Sequence, residues 1–414
     1  MYSKDEPQTR SFWARKGTYM QYSDFKGKKI SRLGFGMMRL PKNADGTIDE
    51  GMTRDMIDYA MEHGVNYFDT AYPYHEGKSE IVTGKLLSRY PRERWFLADK
   101  YPGHQISDES DPNGQYQPER LFNRQLEKCC VEYFDFYLLH NVYEKSLGYY
   151  RDPNWGIMEY LIRMKQEGKI KHLGFSCHGR MPNIREFLDE FGEEMEFCQI
   201  QFNYLDYTLQ KAGEKYDFLT GRNLPVWVME PVRGGKLAGF DQINEEKLKR
   251  ARPDESIASW AFRWLAGFDN VKLILSGMSS FEQMKDNIRT FENEKPLTDR
   301  EVRLLYEIAD DIKRAVPCTG CGYCLPACPM ELNIPELIAA YNDLKFASTV
   351  NVPMHVESMP PEKRPSACIG CGHCMQICPQ QIGVPAIMHE FVDALEKAPN
   401  WDEICRQRDR YDSQ

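Results

Sequence analysis

Eight short apolar segments, separated by amphipathic stretches, are the feature that most restricts the fold of this chain. Between residues 30 and 293 they read ISRLGFGMM, VNYFDTA, RWFLADK, FDFYLLH, KHLGFSC, EFCQIQFNY, LPVWVME and VKLILSG. Each is rich in aliphatic and aromatic residues and apolar on both faces, which is typical of buried parallel strands. The pattern predicts an α/β fold, a closed (β/α)8 TIM barrel. An open doubly wound sheet is the alternative, and the absence of a GxGxxG sequence after the first segment counts against it.

Composition excludes several classes of function. The formal net charge of −9 leaves no basic surface for nucleic acid. No apolar stretch approaches the roughly 18 residues of a membrane span, so no membrane association is expected. The N-terminal sequence MYSKDEPQTRSFWARKG lacks the apolar core of a signal peptide, which favours a cytoplasmic location. In that compartment the 13 cysteines are not expected to form disulfides.

Two nearly identical cysteine-rich segments predict iron–sulfur chemistry. CTGCGYCLPACP spans 318–329 and CIGCGHCMQICP spans 368–379, each with the spacing C-x2-C-x2-C-x3-C-P. This is the ligand pattern of bacterial [4Fe–4S] ferredoxins, in which the fourth cysteine of one segment binds the other cluster. The first predicted cluster takes Cys318, Cys321, Cys324 and Cys378, and the second takes Cys368, Cys371, Cys374 and Cys328.

Two alternatives to redox-active clusters stay open. Paired C-x2-C sequences also bind zinc, although four cysteines per segment followed by proline favour iron–sulfur. Clusters can also serve as structural staples, because metal binding supplies folding energy without electron transfer. The sequence NIPELIAAYNDLKFA between the segments predicts a helix with Pro335 in its first turn. Together these features resemble helical two-cluster ferredoxins attached to larger oxidoreductases.

The chain is therefore divided into four predicted parts. These are an N-terminal extension (1–29), the barrel (30–297), a linking helix (298–316) and a smaller, mostly helical ferredoxin-like domain (317–414). We expect the linking helix to run from an N-cap at Thr298 to Arg314, and the first barrel helix to begin at an N-cap at Thr53. The segment VNVPMHVESMPPEKRPSA is rich in proline, which predicts a loop.

Polar side chains follow three consecutive predicted strands, at the end where a barrel carries its active site. Asp69 and Tyr74 follow the second apolar segment, Lys100 ends the third and His140 ends the fourth. A nearby ammonium lowers the pKa of a phenol, which would make Tyr74 a usable general acid. Singly, each residue has an equally plausible structural role as a helix cap or rim residue. Together they predict a site that protonates an oxygen while hydride reaches the attached carbon.

FDTAYPY, DK and LLH, in this order, resemble the aldo-keto reductases, whose fold is a (β/α)8 barrel. The resemblance covers residues 28–293 and implies a catalytic tetrad of Asp69, Tyr74, Lys100 and His140. It also implies a nicotinamide cofactor, and GFSCHG, CQIQFN, EPVRGGKL and SGMSSFEQMKDN correspond to its contacts. The implied cofactor-binding residues are Ser176, Gln199, Met229, Pro231, Gly234, Gly277, Ser279, Gln283 and Asn287.

Three cofactor positions depart from the family pattern. The family places a Ser-Asn pair at the nicotinamide carboxamide, but Cys177 stands at the second position, with His178 as a candidate substitute. Met229 stands where an aromatic residue often stacks on nicotinamide. Gly277 and Gln283 stand where basic residues grip a 2′-phosphate. Because uncharged groups make no charge-assisted bond to phosphate, NADH is favoured over NADPH.

These observations predict an iron–sulfur oxidoreductase of aldo-keto reductase type that acts on a small-molecule carbonyl or alcohol, with a ferredoxin or flavodoxin as electron partner. A flavin would join two-electron hydride transfer to one-electron clusters, but the sequence has no recognisable flavin motif. The alternatives are a non-catalytic or regulatory barrel with structural or docking clusters, and a cluster-driven reductase without nicotinamide hydride transfer. Candidate pocket-lining residues are Tyr72, His75, Trp155 and Tyr204.

Overall fold

Eight parallel strands close into a barrel, which confirms the predicted TIM-barrel fold. The strands in chain order are β1 (Tyr22–Phe25) and β2 (Lys28–Ser31) of a hairpin, then the barrel strands β3 (Leu33–Gly36), β4 (Tyr67–Asp69), β5 (Phe96–Tyr101), β6 (Phe134–Leu139), β7 (Ile170–Cys177), β8 (Cys198–Gln201), β9 (Val226–Met229) and β10 (Val271–Ser276). Neighbours in sequence are neighbours in the barrel, and β10 pairs with β3 to close it. The C-terminal ends of all eight strands therefore lie at the same end of the barrel, which we call the mouth.

The computed structural model describes residues 20–106, 114–240, 242–293, 295–312, 316, 318, 320–346, 351–378 and 380–398. Most of the predicted N-terminal extension, Arg314 at the predicted end of the linking helix, and Cys405 lie outside the described residues. Within the ranges above, no helix combines the length and apolar character needed to cross a bilayer.

The hairpin of β1 and β2 is not predicted by the apolar pattern. Its strands pair antiparallel from Tyr22 opposite Ser31 to Phe25 opposite Lys28. The Phe25 ring is buried, and its centroid lies 5.0 Å from that of Trp227 and 5.7 Å from that of Phe136. The hairpin therefore closes the end of the barrel opposite the mouth. The first apolar segment is shared between β2 and β3, so the barrel strand begins later than Ile30.

Helices follow the barrel strands and cover their outer surface. They are α1 (Glu50–Glu62), α2 (Lys78–Leu87), α3 (Pro118–Lys128), α4 (Ser146–Arg151), α5 (Ile157–Gln166), α6 (Met181–Phe191), α7 (Asp206–Leu209), α8 (Ala212–Gly221), α9 (Gln242–Ala251), α10 (Ile257–Ala266) and α11 (Phe281–Glu292). The N-cap of α1 is Asp49, whose carboxylate accepts the Met52 N–H over 2.9 Å. The predicted N-cap at Thr53 is therefore wrong: Asp49 caps the helix one turn earlier, and Thr53 donates its hydroxyl to the Asp49 carbonyl oxygen.

The linking helix is α12 (Asp299–Ile312), and Thr298 is its N-cap as predicted. The Glu301 N–H donates to Thr298 Oγ1 over 3.4 Å, and the Thr298 N–H donates to Glu301 Oε2 over 2.7 Å. This reciprocal pair is a capping box, which satisfies two backbone donors that the helix leaves free. Hydrogen bonds from Arg252 to the same carboxylate lower the pKa of Glu301 to about 2.

The C-terminal region is helical, as predicted, and has an apolar core of its own. It contains α13 (Ile334–Phe346), α14 (Asn351–Ser358), α15 (His373–Ile377) and α16 (Val384–Glu396). Tyr341 and Phe391 meet in this core with ring centroids 5.7 Å apart. The loop predicted for VNVPMHVESMPPEKRPSA is wrong in its first half, which forms α14. Pro353 is tolerated there because it lies in the first turn, where a backbone N–H has no partner within the helix.

Candidate active site and cluster cavities

Asp69 and Lys100 form a buried ion pair at the mouth of the barrel. Asp69 ends β4, Lys100 lies near the end of β5, and these two strands pair directly. Lys100 Nζ donates to Asp69 Oδ1 over 2.6 Å and to the Thr70 carbonyl oxygen over 2.7 Å. Lys100 is fully buried and Asp69 is 3% exposed. Strand pairing therefore fixes a cation and its counter-ion in one place.

Tyr74 lies in the turn after β4, next to this ion pair. Its hydroxyl oxygen is 3.4 Å from Lys100 Nζ, which also lies 4.8 Å from the centre of the Tyr74 ring. The His140 ring meets the Tyr74 ring edge-on, with centroids 6.0 Å apart. The structure thus brings all four predicted catalytic residues together, while their catalytic roles stay a prediction.

Burial dominates the ionisation of Tyr74. It raises the pKa of the phenol above its usual value, and the Lys100 ammonium offsets this only in part. The prediction that the pKa of Tyr74 is lowered is therefore wrong: its pKa is raised overall, although Lys100 by itself lowers it as expected. Burial alone would lower the pKa of Lys100, but Asp69 and Tyr74 raise it above its usual value. A protonated phenol consequently faces a charged ammonium at neutral pH.

Two further buried acids, Asp99 and Glu80, take part in the hydrogen bonds that hold the Lys100 backbone. Asp99 Oδ1 accepts the Lys100 backbone N–H over 2.8 Å, and Gln125 Nε2 donates to the Lys100 carbonyl oxygen over 3.1 Å. Glu80 is fully buried and accepts from Gln125 over 2.9 Å and from Lys128 over 3.0 Å. Burial and then the Glu80 carboxylate raise the pKa of Asp99 well above its usual range. These bonds hold both sides of the Lys100 backbone.

His104 and Tyr150 both contact the backbone carbonyl oxygen of His140. The His104 and His140 ring centroids are 4.3 Å apart, and His104 Nδ1 lies 3.2 Å from the His140 carbonyl oxygen. The Tyr150 hydroxyl donates to that carbonyl oxygen over 2.7 Å. Neither residue lies at a strand end: His104 lies in a 3-10 turn after β5 and Tyr150 lies on α4.

The predicted nicotinamide contacts Ser176 and Met229 lie at the ends of β7 and β9, and Gln199 is the second residue of β8, paired with Ser176. Gln199 is 2% exposed, and its Nε2 lies 3.6 Å from Met229 Sδ. Its Oε1 is buried and has no hydrogen-bond partner within the described part of the chain. A buried acceptor left unpaired is costly. Gln199 therefore offers an acceptor that a carboxamide N–H would satisfy.

Cys177 faces away from this site, whereas an unpredicted amide lies beside it. The Cys177 thiol is fully buried and donates to a backbone carbonyl oxygen over 3.0 Å, and burial raises its pKa to about 11. Asn141 donates its backbone N–H to Ser176 Oγ over 2.8 Å, and its Oδ1 accepts the His178 N–H over 3.1 Å. Asn141 thus sets an amide next to Ser176; its signal in the sequence is LLHN, one residue after His140.

The predicted cofactor contacts in SGMSSFEQMKDN lie in a hydrogen-bonded turn at the start of α11 and in that helix. Gln283 Oε1 accepts the Ser279 N–H over 2.8 Å, and Ser279 Oγ donates to the Arg39 carbonyl oxygen over 2.9 Å. Asn287 is 5% exposed and donates to Ser276 Oγ over 2.9 Å. Gln283 and Asn287 are thus engaged in internal bonds that stabilise the turn.

Arg39, which the sequence analysis missed, lies between the two loops assigned to the cofactor. A Cβ placed on Gly277 would lie 3.1 Å from the Arg39 side chain, and one on Gly234 would lie 3.2 Å from its Nη2. Because these two residues have no side chain, the Arg39 side chain fits between the loops. Pro231, the remaining predicted contact, is buried at the start of the loop that contains Gly234. An exposed guanidinium between these loops is suited to bind phosphate.

Two of the four candidate pocket residues are core residues instead. Tyr72 is 3% exposed and packs edge-on to Tyr116, with centroids 6.1 Å apart. Tyr204 is fully buried in the same apolar core. His75 and Trp155 are partly exposed, and burial lowers the pKa of His75 to about 4.

Two cavities in the C-terminal region are each lined by four of the predicted cluster ligands. The first is lined by Cys318, Cys321, Cys324 and Cys378, and the second by Cys368, Cys371, Cys374 and Cys328. The fourth cysteine of each segment thus crosses to the other cavity, which is the arrangement that the spacing implies. The ligand roles themselves stay a prediction.

The sequence spacing of these cysteines suits a cluster better than a single ion. Each segment has four cysteines followed by proline, which is the [4Fe–4S] ligand pattern. Zinc needs its sulfur ligands about 2.3 Å from one point. A cubane instead spreads its four thiolates over four corners. Glycines with φ of 70° and 78° at Gly320 and Gly322, and 70° and 75° at Gly370 and Gly372, let each loop wrap around its cavity.

A barrel with this mouth, followed by two four-cysteine cavities, defines an iron–sulfur oxidoreductase. The model of the aldo/keto reductase family matches residues 32–310, and the 4Fe-4S dicluster domain model matches residues 317–382. The chain belongs to the aldo/keto reductase family and carries a 4Fe-4S dicluster domain after its barrel. This confirms the family and the iron–sulfur domain expected from the sequence.

Similar proteins agree with this assignment. The uncharacterized oxidoreductase YqkF of Bacillus subtilis is 28% identical over 303 residues, which cover 67% of this chain and 92% of that protein. The NADH-specific methylglyoxal reductase of Escherichia coli is 24% identical over 324 residues, which cover 69% and 96%. Among solved structures, the holo form of aldo-keto reductase AKR11C1 from Bacillus halodurans aligns with a TM-score of 0.56 and 27% identity, covering 70% of this chain and 96% of that one.

Proposed function

We propose that this protein reduces a small carbonyl compound with NADH or NADPH, and oxidises the corresponding alcohol in the reverse direction. The observation that carries the proposal is the contact of 3.4 Å between the Tyr74 hydroxyl and the buried Lys100 ammonium. The methylglyoxal reductase among the relatives supports a small carbonyl compound as substrate.

In this mechanism Tyr74 gives its proton to the carbonyl oxygen of the substrate. A bound reduced nicotinamide would supply the hydride to the carbonyl carbon: the C=O π bond would break, a C–H and an O–H bond would form, and the nicotinamide would be oxidised. Lys100, held by Asp69 over 2.6 Å, stabilises the phenolate until solvent returns its proton. His140 orients the carbonyl oxygen toward Tyr74.

The residues on the other side of the mouth fit a nicotinamide nucleotide. The unpaired Oε1 of Gln199 would accept a carboxamide N–H, with Ser176 and Asn141 beside it. Arg39 would meet the pyrophosphate, together with the loop containing Pro231 and Gly234. The uncharged Gly277 and Gln283 support NADH over NADPH, as does the NADH specificity named for the E. coli relative.

The proposal includes two [4Fe–4S] clusters that exchange single electrons with a ferredoxin or flavodoxin. Cys321 and Cys371 are exposed, and they lie among exposed apolar side chains of the same two segments, namely Tyr323, Leu325, Ile369, Met375 and Ile377. Residues 318–329 and 368–379 contain no Lys, Arg, Asp or Glu. A neutral apolar surface at the cluster edge supports docking of a protein carrier. If each cluster took up one electron, two [4Fe–4S] clusters would store two electrons between them.

Tyr74→Phe tests the enzymatic proposal in anaerobically purified protein. The variant should lose about 10²- to 10⁴-fold in the rate of methylglyoxal reduction, because the general acid is gone. Its Kd for NADH, measured by fluorescence titration, should stay unchanged. Tyr59→Phe on α1 makes the same chemical change away from the mouth and should keep full activity.

Three outcomes would contradict parts of the proposal. Unchanged turnover in Tyr74→Phe would remove Tyr74 as the acid. Turnover by dithionite-reduced protein that binds neither NADH nor NADPH below millimolar concentration would favour the cluster-driven reductase. Metal analysis should find about eight iron and eight sulfide per chain, and a protein that contains only zinc would refute the cluster assignment.

A further inference from the structure

The loop after β9, residues 230–235, is held by the C-terminal domain as well as by the barrel. We call it the cofactor loop, because it contains the predicted contacts Pro231 and Gly234. Arg233 is fully buried, and its Nε lies 3.1 Å from both carboxylate oxygens of Asp206 in the barrel. Its Nη2 forms an ion pair with Asp343 on α13. A cation of the cofactor loop thus bridges carboxylates of two domains.

The same aspartate reaches a second barrel loop. Asp343 is 6% exposed, and its Oδ2 accepts a hydrogen bond of 2.6 Å from Gln210 Nε2, which follows α7. Asp343 therefore joins the loop after β8 to the loop after β9. Neither contact exists without the C-terminal domain.

Asn351, the first residue of α14, makes a parallel connection. Its Nδ2 donates to Gln201 Oε1 over 2.9 Å, and its side chain also hydrogen-bonds the carboxyl group of Glu230, the first residue of the cofactor loop. Gln201 Nε2 in turn donates to Asp206 Oδ2 over 2.7 Å. The two connections therefore meet at Asp206, so the bonds form one continuous network around the loop.

The backbone of the cofactor loop needs such support. Glu230 and Arg233 have φ of 54° and 47°, in the left-handed region that side chains other than glycine rarely adopt. Residues in this region persist when surrounding contacts over-determine them. Here those contacts are the carboxylates of Asp206 and Asp343 around Arg233 and the amide of Asn351, and two of these three residues belong to the C-terminal domain.

We propose that Asp343 and Asn351 are positioning residues for the nicotinamide nucleotide: they hold the cofactor loop in the conformation that receives its pyrophosphate. Docking of the C-terminal domain and nucleotide binding then stabilise one another, because coupling between two sites is reciprocal. This inference rests on the nicotinamide use proposed above. It assigns the iron–sulfur domain a role in building the barrel's own cofactor site.

Asp343→Asn in the full-length, cluster-loaded protein tests the inference. The Kd for NADH should rise about tenfold, and KM for NADH should rise with it while kcat at saturating NADH changes little. Asp343→Glu, which keeps the charge, should restore most of the affinity. Asn351→Ala removes the other connection and should weaken binding in the same direction. Iron content and a far-UV circular dichroism spectrum at the wild-type level would show that both domains are folded.

Glu336→Gln is the matched control. Glu336 also lies on α13 and pairs with a barrel residue, Arg180, over 2.6 Å. That ion pair joins the same two domains but does not contact residues 230–235. A control Kd within about twofold of wild type would separate positioning of the loop from a general loosening of the domains.

Hydrogen exchange of the cofactor loop gives a readout that needs no nucleotide. Exchange should be faster in Asp343→Asn than in wild type, and NADH should slow exchange in α13 of the wild-type protein. Wild-type affinity and wild-type loop exchange in Asp343→Asn would overturn the inference. If the wild-type protein binds neither nucleotide, the proposed function fails; faster loop exchange in Asp343→Asn would then still support Asp343 as the residue that positions the loop, and unchanged exchange would refute it.

Discussion

Two buried cations at the mouth of the barrel are neutralised in different ways. Lys100 pairs with Asp69, and both residues come from neighbouring strands of the barrel. Arg233 also belongs to the barrel, but its carboxylate partners come from two domains, Asp206 from the barrel and Asp343 from α13. The first pair is complete within the barrel, whereas the second needs the C-terminal domain.

The difference separates the residues proposed for proton transfer from those that depend on docking of the C-terminal domain. Proton transfer requires atoms held to within a fraction of an ångström, and strand pairing supplies that rigidity at Lys100. The Arg233 contact instead depends on domain docking, so it can report whether the domains are engaged. Removing Lys100 or Asp69 leaves the other as an uncompensated buried charge, which costs about 3–5 kcal/mol.

Lys100→Met should have the largest effect, because it removes the first cation entirely. Carbonyl reduction should fall about 10²- to 10⁴-fold, and the barrel should lose about 3–5 kcal/mol of unfolding free energy, since Asp69 stays buried without its counter-ion. Steady-state kinetics and urea unfolding measure the two effects. Lys85→Met breaks an exposed pair with Glu50 and should cost less than about 1 kcal/mol; similar losses in both variants would contradict the distinction.

Cys378→Ala should weaken the contacts around Arg233 and leave the Lys100–Asp69 pair intact. It removes the crossing ligand from the first cavity, so iron should fall from about eight to about four per chain. The cofactor loop should then exchange hydrogen faster, while the far-UV spectrum of the barrel is retained. Cys130→Ala changes an exposed cysteine outside the cavities and should keep all the iron. Full iron content in Cys378→Ala would refute the crossed ligand set.

The smallest predicted effect is a pH dependence of NADH affinity caused by Glu230. Burial, followed by the neighbouring Asp206 carboxylate, raises the pKa of Glu230 to about 7, against the opposing charges of Arg233 and Arg39. Glu230 is therefore neutral below this pH and negative above it, next to the loop proposed to receive pyrophosphate. Affinity should fall by up to about tenfold between roughly pH 6 and pH 8.

Glu230→Gln should flatten this profile, as measured by titration at several pH values. Glu246→Gln on α9, where the side chain is exposed, should leave the profile unchanged. Burial lowers the pKa of His75 to about 4 and that of His178 to about 3, so these two histidines stay neutral across this pH range. A profile that stays steep in Glu230→Gln would assign the effect to another group.

Several features of the site were predictable because they follow from local order along the chain. Parallel strand ends meet at one mouth, so Asp69, Tyr74, Lys100 and His140 were expected to lie together, and they do. The direction in which the pKa of Tyr74 shifts was not predictable, because it depends on how deeply the phenol is buried. The side to which Cys177 points also depends on the register of β7 in the barrel.

The amino-acid sequence by itself determined the barrel, the helical character of the C-terminal region and the two cysteine segments, since these depend on periodicity and spacing over a few residues. Only the tertiary structure revealed the pairing of Asp343 with Arg233 and of Asn351 with Gln201, residues far apart in the chain. No local pattern marks such pairs, because each residue alone is an ordinary polar side chain. Their role arises from burial against one another, which the packing of two domains decides.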